Sequence, residues 1–270
     1  MKELINDITA QLSACYPEEE ARALAWWVLE ESTGLSRSQL LCDCKGTKNI
    51  SNLQIIIDRL LHFEPIQYIF GHTLWNGLDL KVTPATLIPR PETAELVEKI
   101  SNSKFQFSNC RVLDIGTGSG CIAIALKKAH PDWQVTGMDI APQAIEVARE
   151  NAARNKVEVT FLETDVFSDF NEDFDIIVSN PPYICEGEKE SMRRNVLDYE
   201  PATALFVPDD DPLLFYRRIA QLRLGAHLFF EINEAYGEPI KLLLEQEGYT
   251  DIVITKDIYG KSRIIEGRMA

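Results

Sequence analysis

Residues 175–183, Asp-Ile-Ile-Val-Ser-Asn-Pro-Pro-Tyr, place several chemically useful groups side by side. The run Asp175 to Ser179 is short, apolar and β-branched, which predicts a buried strand. It stops at Asn180-Pro181-Pro182-Tyr183, where each proline fixes its own φ and restricts the residue before it. An amide and an aromatic ring are therefore held on a stiff turn just past a strand end. A planar amide or exocyclic amine is a poor nucleophile, because its nitrogen lone pair is delocalised. Asn180 can accept one hydrogen bond from such an NH2 through its side-chain oxygen. The Pro181 carbonyl can accept the other, since proline keeps its acceptor while losing its donor. Tyr183 can stack on the flat face. Together they would aim the nitrogen at an electrophilic carbon, which is catalysis by positioning. The plain alternative is a Pro-Pro turn beside a core tyrosine.

Upstream, Arg111–Ile115 reads as a strand that runs into Gly116-Thr117-Gly118-Ser119-Gly120. A glycine-rich turn between a first strand and the next helix lets a ligand approach the backbone, beside the helix's free amides. The following strand ends at Asp139, where nucleotide-binding sheets use an acid to accept hydrogen bonds from ribose hydroxyls. The pair predicts a nucleoside-type cofactor. The Gly-x-Gly-x-Gly spacing differs from the Gly-x-Gly-x-x-Gly that seats a pyrophosphate, which argues against a dinucleotide. Asp165, after a third strand, reads either as a contact to an adenine edge, with Val166 on the ring face, or as a helix cap. In an open α/β sheet ligands bind beyond the carboxyl ends of strands at the switch point, so a doubly wound topology would put Gly116 and Asn180 in one crevice. A sulfonium methyl donor suits this set, since it needs neither a metal nor a covalent intermediate.

These residues must be positioned by the elements around them. From Arg111 onward strands and helices alternate, which predicts a mostly parallel sheet covered on both faces. The last two strands, in Thr250–Asp257 and Ser262–Arg268, have no helix between them and predict a terminal antiparallel pair. Residues 1–75 read as a small helical bundle without a catalytic signature: Leu4, Ile5, Ile8 and Leu12 recur at helical spacing, Pro17 and Gly34 bracket a second helix, and Ser51 is the expected cap of another. Trp26 and Trp27 read as a partner surface or as one buried ring beside a half-exposed one. Residues 76–88 form the expected hairpin and linker, with Leu78, Leu80 and Val82 alternating, and 89–270 the catalytic domain.

The chain has 270 residues, 27 basic and 42 acidic, for a formal net charge of −15. That balance argues against a protein that grips long nucleic acid, which relies on Lys and Arg. The six cysteines include no Cys-x-x-Cys pair, and Cys42 and Cys44 lack partners at zinc-ligand spacing, so reduced thiols and no metal are expected. No signal-peptide core and no membrane-length apolar run is seen, which predicts a cytoplasmic protein without membrane partners. His62, His72, His130 and His227 are scattered, and none is assigned to catalysis.

Beyond these local patterns, Glu64–Gly71, Thr86–Glu98, Val112–Leu126 and Asp198–Leu205 occur in the order of the blocks of a known family, while Asn180–Ile184 alone is a turn that adenine-amino DNA methyltransferases share. The chain resembles the class I S-adenosylmethionine-dependent methyltransferases, and among them the protein-(glutamine-N5) methyltransferases of peptide-chain release factors, the PrmC/HemK family. The resemblance covers nearly the whole chain. It implies a Rossmann-like, mostly parallel seven-stranded sheet with a terminal antiparallel hairpin, preceded by a helical-bundle domain. It implies S-adenosylmethionine as donor, S-adenosylhomocysteine as product, and class I release factors as partners. Gly116, Thr117, Gly118, Ser119 and Gly120 would lie against the donor's methionine part, Asp139 on the ribose, and Asp165 or Val166 on the adenine. Val166 departs from the family, whose members often carry a larger ring there. Asn180, Pro181, Pro182 and Tyr183 would hold the glutamine of a Gly-Gly-Gln loop, with Asn180 also against the donor. The helical domain would recognise the rest of the release factor. Arg90 and Glu92 would sit near the mouth of the site, Arg90 alternatively serving as a salt-bridge partner, while Glu200 and Thr203 would order a loop over the substrate. The rival readings are an adenine-amino methyltransferase of nucleic acid, a nicotinamide dehydrogenase or binding module, and an assembly factor.

Overall fold

A computed structural model describes residues 2–42, 50–103 and 109–270. Cys44 lies outside the described residues. The chain divides into two compact units, Met1–Gly71 with Arg193–Tyr199, and His72–Met192 with Glu200–Ala270.

The first unit is helical: α1 (Lys2–Leu12), α2 (Glu18–Thr33), α3 (Arg37–Cys42), α4 (Leu53–Leu61) and α5 (Ile66–Phe70). Its core gathers Ile5, Ile8 and Leu12 with Ala25, Val28, Leu29, Leu40, Ile57 and Leu60. Each Ile, Leu or Val among them contributes about 1.5–3 kcal/mol by leaving water. Pro17 occupies the N-cap of α2, and Gly34 closes it in the left-handed conformation, its N–H donating to the Glu30 carbonyl. Trp26 is buried and Trp27 half-buried, its indole N–H donating to Glu31. The expected Ser51 cap is not formed: the residue before α4 is Asn52, in the left-handed region without a side-chain cap bond.

The second unit opens with a hairpin, β1 (His72–Trp75) and β2 (Leu78–Lys81). The expected boundary at residue 75 therefore falls at the end of a paired strand, and the division lies between Gly71 and His72. The reason is packing, since Trp75, Leu78 and Leu80 join the core of the catalytic unit. Then follow α6 (Pro91–Asn102), β3 (Arg111–Ile115), α7 (Cys121–Ala129), β4 (Gln134–Asp139), α8 (Pro142–Arg154), β5 (Thr160–Glu163) and β6 (Phe174–Ser179). The third parallel strand starts at Thr160 and not directly after α8, because Val157 N–H is still tied to the Ala152 carbonyl in the turn that follows the helix. A two-strand parallel pair, β7 (Ile184–Cys185) and β8 (Phe206–Val207), brackets α9 (Arg194–Leu197), which lies in the helical unit. The chain ends with α10 (Leu214–Leu222), β9 (Gly225–Glu231), α11 (Gly237–Gln246), β10 (Tyr249–Lys256) and β11 (Ser262–Met269).

The seven-stranded sheet has the order β10-β11-β9-β6-β3-β4-β5. β5, β4, β3, β6 and β9 run parallel, and β11 pairs antiparallel with both β9 and β10. Alternate residues feed opposite faces, as a doubly covered sheet requires. Val112, Ile176 and Val178 join the core that includes α6, α7 and α8 residues, while Leu113, Ile115 and Ile177 join the one that includes α10 and α11 residues. The chain builds outward from β3 to β5, then returns to β6 on the other side of β3. The carboxyl ends of β3 and β6 are thus the switch point, where a crevice is expected.

Candidate active site

A cleft of about 400 Å³ opens at that point, within the range of small-molecule sites. Gly116, Thr117, Gly118 and Ser119 from the end of β3 line it together with Ser179, Asn180, Pro181 and Pro182 from the end of β6.

The β3 corner is built from backbone. Gly116, Gly118 and Gly120 have φ of 72°, 53° and 80°, a region that side chains with a Cβ rarely occupy. Nothing lies within 4 Å of a Cβ built on Gly116 or Gly118, so the turn leaves open room against its backbone. Three polar side chains brace it. Asp139 accepts from Gly118 N–H at 2.8 Å with one oxygen and from Ala141 N–H at 2.9 Å with the other. Asp114 is fully buried and accepts from the Thr117 hydroxyl at 2.6 Å and from Ala123 N–H at 3.2 Å. Burial pushes its carboxyl up to about 7, against the pull of those two hydrogen bonds. Asn151, buried on α8, donates to the carbonyls of Ser119 and Lys81 and accepts from Lys81 N–H, tying the turn to the hairpin.

The β6 corner is built from side chains and prolines. Ser179 is buried and donates to the Ile115 carbonyl at 2.7 Å, locking the ends of β6 and β3 together. Asn180 donates from Nδ2 to Thr93 Oγ1 at 3.4 Å. The Thr93 hydroxyl donates to Glu231 Oε2 at 2.6 Å, and the Tyr183 hydroxyl to Glu231 Oε1 at 3.3 Å. Burial raises the carboxyl of Glu231 and the phenol of Tyr183 above their ordinary ranges. Two expected site residues are not on the cleft wall: Gly120, which faces Ile124 and Ala148, and Tyr183, whose hydroxyl is drawn to Glu231 and whose ring packs on the core that includes α10 and α11 residues.

The remaining walls are mixed. Asp165 accepts from Phe167 N–H at 2.9 Å in a turn that no helix follows, so the helix-cap reading is not realised, and the residue lines the cleft. Val166 lines it too, as does Phe167, which meets Phe215 edge to face. Arg90 lines the cleft and is paired with buried Glu200 at 2.7 Å, which is the salt-bridge arrangement expected for it. Glu200 also accepts from Ile88 N–H, and burial raises its carboxyl. Thr203 lines the cleft, and Glu92 does not. Among the described residues no cluster of three or more His, Cys, Asp or Glu is placed to hold a metal.

Residues 3–71 match the family model of the PrmC N-terminal domain, and residues 91–198 that of the methyltransferase small domain. A release factor glutamine methyltransferase of Bacteroides thetaiotaomicron is 46% identical across 97% of this chain and 99% of its own length. This chain belongs to the release factor glutamine methyltransferase family. A second member, from Flavobacterium psychrophilum, is 43% identical over 94% of each chain, and one from Lactococcus lactis is 38% identical over 97% of each. These relatives do not favour the adenine-amino reading. Among solved structures the catalytic domain of hMettl16, solved with an RNA hairpin, matches at 19% identity and a TM-score of 0.56 over 72% of this chain and 75% of that one. At that distance the likeness speaks for the methyltransferase fold alone.

Several residues of this family member's site were not singled out from sequence: Thr93, Asp114, Asn151, Glu231, Ile140, Phe167 and Phe215. Asp114 and Glu231 had a local signal, an acid inside an apolar strand, which demands a partner. Asn151 had a similar one, a polar residue on the buried face of an amphipathic helix.

Proposed function

We propose that this methyltransferase uses S-adenosylmethionine to methylate the side-chain amide nitrogen of a glutamine, in the Gly-Gly-Gln loop of class I release factors. The observation that carries this reading is that the Gly116–Gly120 turn and the Asn180-Pro181 corner stand on adjacent parallel strands and line one cleft. The names of relatives alignable end to end support the substrate.

The cleft suits the donor. Gly118 and Gly116 leave open backbone where a Cβ would intrude, which fits the donor's amino-acid part. Asp139 has carboxylate lone pairs beyond those used by the two amides, which fits ribose hydroxyls. Ile140, Val166, Phe167 and Phe215 offer an apolar slot for a purine beside Asp165. When bound, the donor would supply an electrophilic sulfonium methyl: its C–S bond breaks to give the thioether S-adenosylhomocysteine as the N–C bond forms, and one of the two amide hydrogens is released as a proton to solvent.

The chain's own residues would do the rest by placement. Asn180 Oδ1 and the Pro181 carbonyl accept the two hydrogens of the substrate NH2, fixing the plane and direction of its nitrogen. A weak nucleophile gains most from such orientation, because no side chain needs to bond to it covalently. Pro181 and Pro182 hold that geometry by restricting φ. The ordered Arg90–Glu200 pair and Thr203 form the wall beyond, and the helical unit serves as the recognition surface for the rest of the release factor. The reaction takes place in the cytoplasm, with its translation-termination substrate.

Incubation with isotopically labelled donor and purified release factor, followed by mass mapping, tests this. One added methyl on the Gly-Gly-Gln glutamine is expected. Label on another residue, or on RNA in place of the release factor, would overturn the reading.

A further inference from the structure

We infer that Thr93 and Glu231 are positioning residues that set which end of the Asn180 amide faces the substrate. The inference rests on the proposal that Asn180 receives the target amide. An asparagine amide has nearly the same shape when turned by 180°, so packing does not choose between its oxygen and its NH2. The chemistry does require a choice: only Oδ1 can accept from a substrate NH2, and an outward Nδ2 would set hydrogens against hydrogens.

The hydrogen-bond chain behind Asn180 makes that choice. Glu231 ends β9 and is 1% exposed, and Thr93 sits in the first turn of α6 at 2% exposed. Both oxygens of Glu231 accept a hydroxyl hydrogen, Oε2 from Thr93 and Oε1 from Tyr183, which leaves neither with a hydrogen to give. Thr93 has one hydroxyl hydrogen, and Glu231 Oε2 takes it at 2.6 Å. Thr93 Oγ1 is left with lone pairs only, so the end of Asn180 that can bond to it is Nδ2, at 3.4 Å. With Nδ2 engaged behind, Oδ1 is the end left for the cleft that Asn180 lines. The other oxygen of Glu231 takes the Tyr183 hydroxyl, so one carboxylate holds both ends of the Asn180–Tyr183 corner. Its neighbours on the chain, Phe229, Phe230 and Ile232, are all buried apolar residues. Burying a carboxylate there is costly, and the Arg263 charge and the two hydroxyl donors offset part of that cost.

The test uses the full-length protein with donor and purified release factor, and compares wild type, Thr93→Val, Thr93→Ser, Asn180→Ala and the Thr93→Val/Asn180→Ala double variant. Thr93→Val keeps the shape and removes the acceptor. It should lower kcat about tenfold to a hundredfold, the size of a positioning loss, with the donor Kd from calorimetry unchanged. Thr93→Ser should restore most of the rate. The double variant should be no slower than Asn180→Ala, because Thr93 acts through Asn180. If Thr93→Val does not fold, Glu231→Gln gives the same reading: it offers one acceptor where the carboxylate offered two, and kcat should fall with donor affinity kept. Wild-type kcat in Thr93→Val or in Glu231→Gln, serine as slow as valine, or a double variant slower than Asn180→Ala would overturn the inference. An inactive wild-type protein would instead overturn the substrate reading on which it rests.

Discussion

The two corners of the cleft stand side by side on β3 and β6 yet are made of different materials. The β3 corner presents backbone, and its side chains point inward as braces: Asp114, Asp139 and Thr117 hold a turn of glycines. The β6 corner presents a side-chain amide and a proline carbonyl, and its braces, Thr93 and Glu231, come from 87 residues before Asn180 and 48 residues after Tyr183. On the proposed function, the difference follows from the partners. A donor of fixed structure can be gripped by an unadorned backbone over a large area. A small primary amide offers two hydrogens and a plane, so it has to be met by individually oriented acceptors. The account therefore assigns affinity for the donor to one corner and rate to the other, and substitutions can be chosen to separate them.

The largest effect should come from Asn180→Ala. Loss of an oriented acceptor at the reacting nitrogen should reduce kcat on the order of 10³-fold, with donor Kd, read by calorimetry, within about twofold. A large loss of donor binding would show that the two corners do not divide the work.

Asp114 gives a pH signature to the other corner. Its folded-state carboxyl lies at about 7, above the ordinary range near 4, because it is buried. The folded chain therefore holds a proton that the unfolded chain has released. Stability from this group is full below pH 4, declines as pH rises, and is lost by about pH 7, at a slope of roughly 1 kcal/mol per pH unit. Asp114→Asn keeps an acceptor for Thr117 and Ala123 and cannot titrate. Denaturant melts between pH 4 and 7 should show the variant losing less stability than wild type as pH rises.

Asp139→Ala should act as the converse of Asn180→Ala. Freed from its hold on Gly118 N–H and Ala141 N–H, the turn should bind donor about tenfold to a hundredfold more weakly, while kcat at saturating donor stays within a few-fold of wild type. Gly137→Ala probes the same corner through packing. A Cβ there would lie 2.7 Å from Thr117 Oγ1 and 2.9 Å from the Phe161 ring, so thermal and urea melts should report a loss of about 1–3 kcal/mol, with weaker donor binding.

The contrast between the corners also explains what could be read from sequence. The glycine turn, Asp139 after the next strand and the diproline corner are local patterns, each specified by neighbours along the chain. The parallel sheet was equally legible, because β-branched runs such as Ile176-Ile177-Val178 alternate with amphipathic helices. The hairpin boundary was placed four residues late because the packing of Trp75, Leu78 and Leu80 into the catalytic core is a tertiary fact. Thr93 and Glu231 escaped for the same reason: they are 138 residues apart, and their meaning lies in a hydrogen-bond direction that no periodicity encodes. Tyr183 shows the reverse error, a local pattern suggesting an outward ring that a distant carboxylate turns toward the core. Asn52, at φ 66° where a Ser51 cap was expected, shows how little fixes a single helix end.

The most direct measurement is a structure of the enzyme with S-adenosylhomocysteine and a peptide containing Gly-Gly-Gln. The account predicts the glutamine nitrogen about 2.7–3.2 Å from both Asn180 Oδ1 and the Pro181 carbonyl, with the thioether sulfur beside the Gly116–Gly120 turn. A glutamine seated elsewhere in the cleft, or an Asn180 amide presenting Nδ2 to it, would contradict the account.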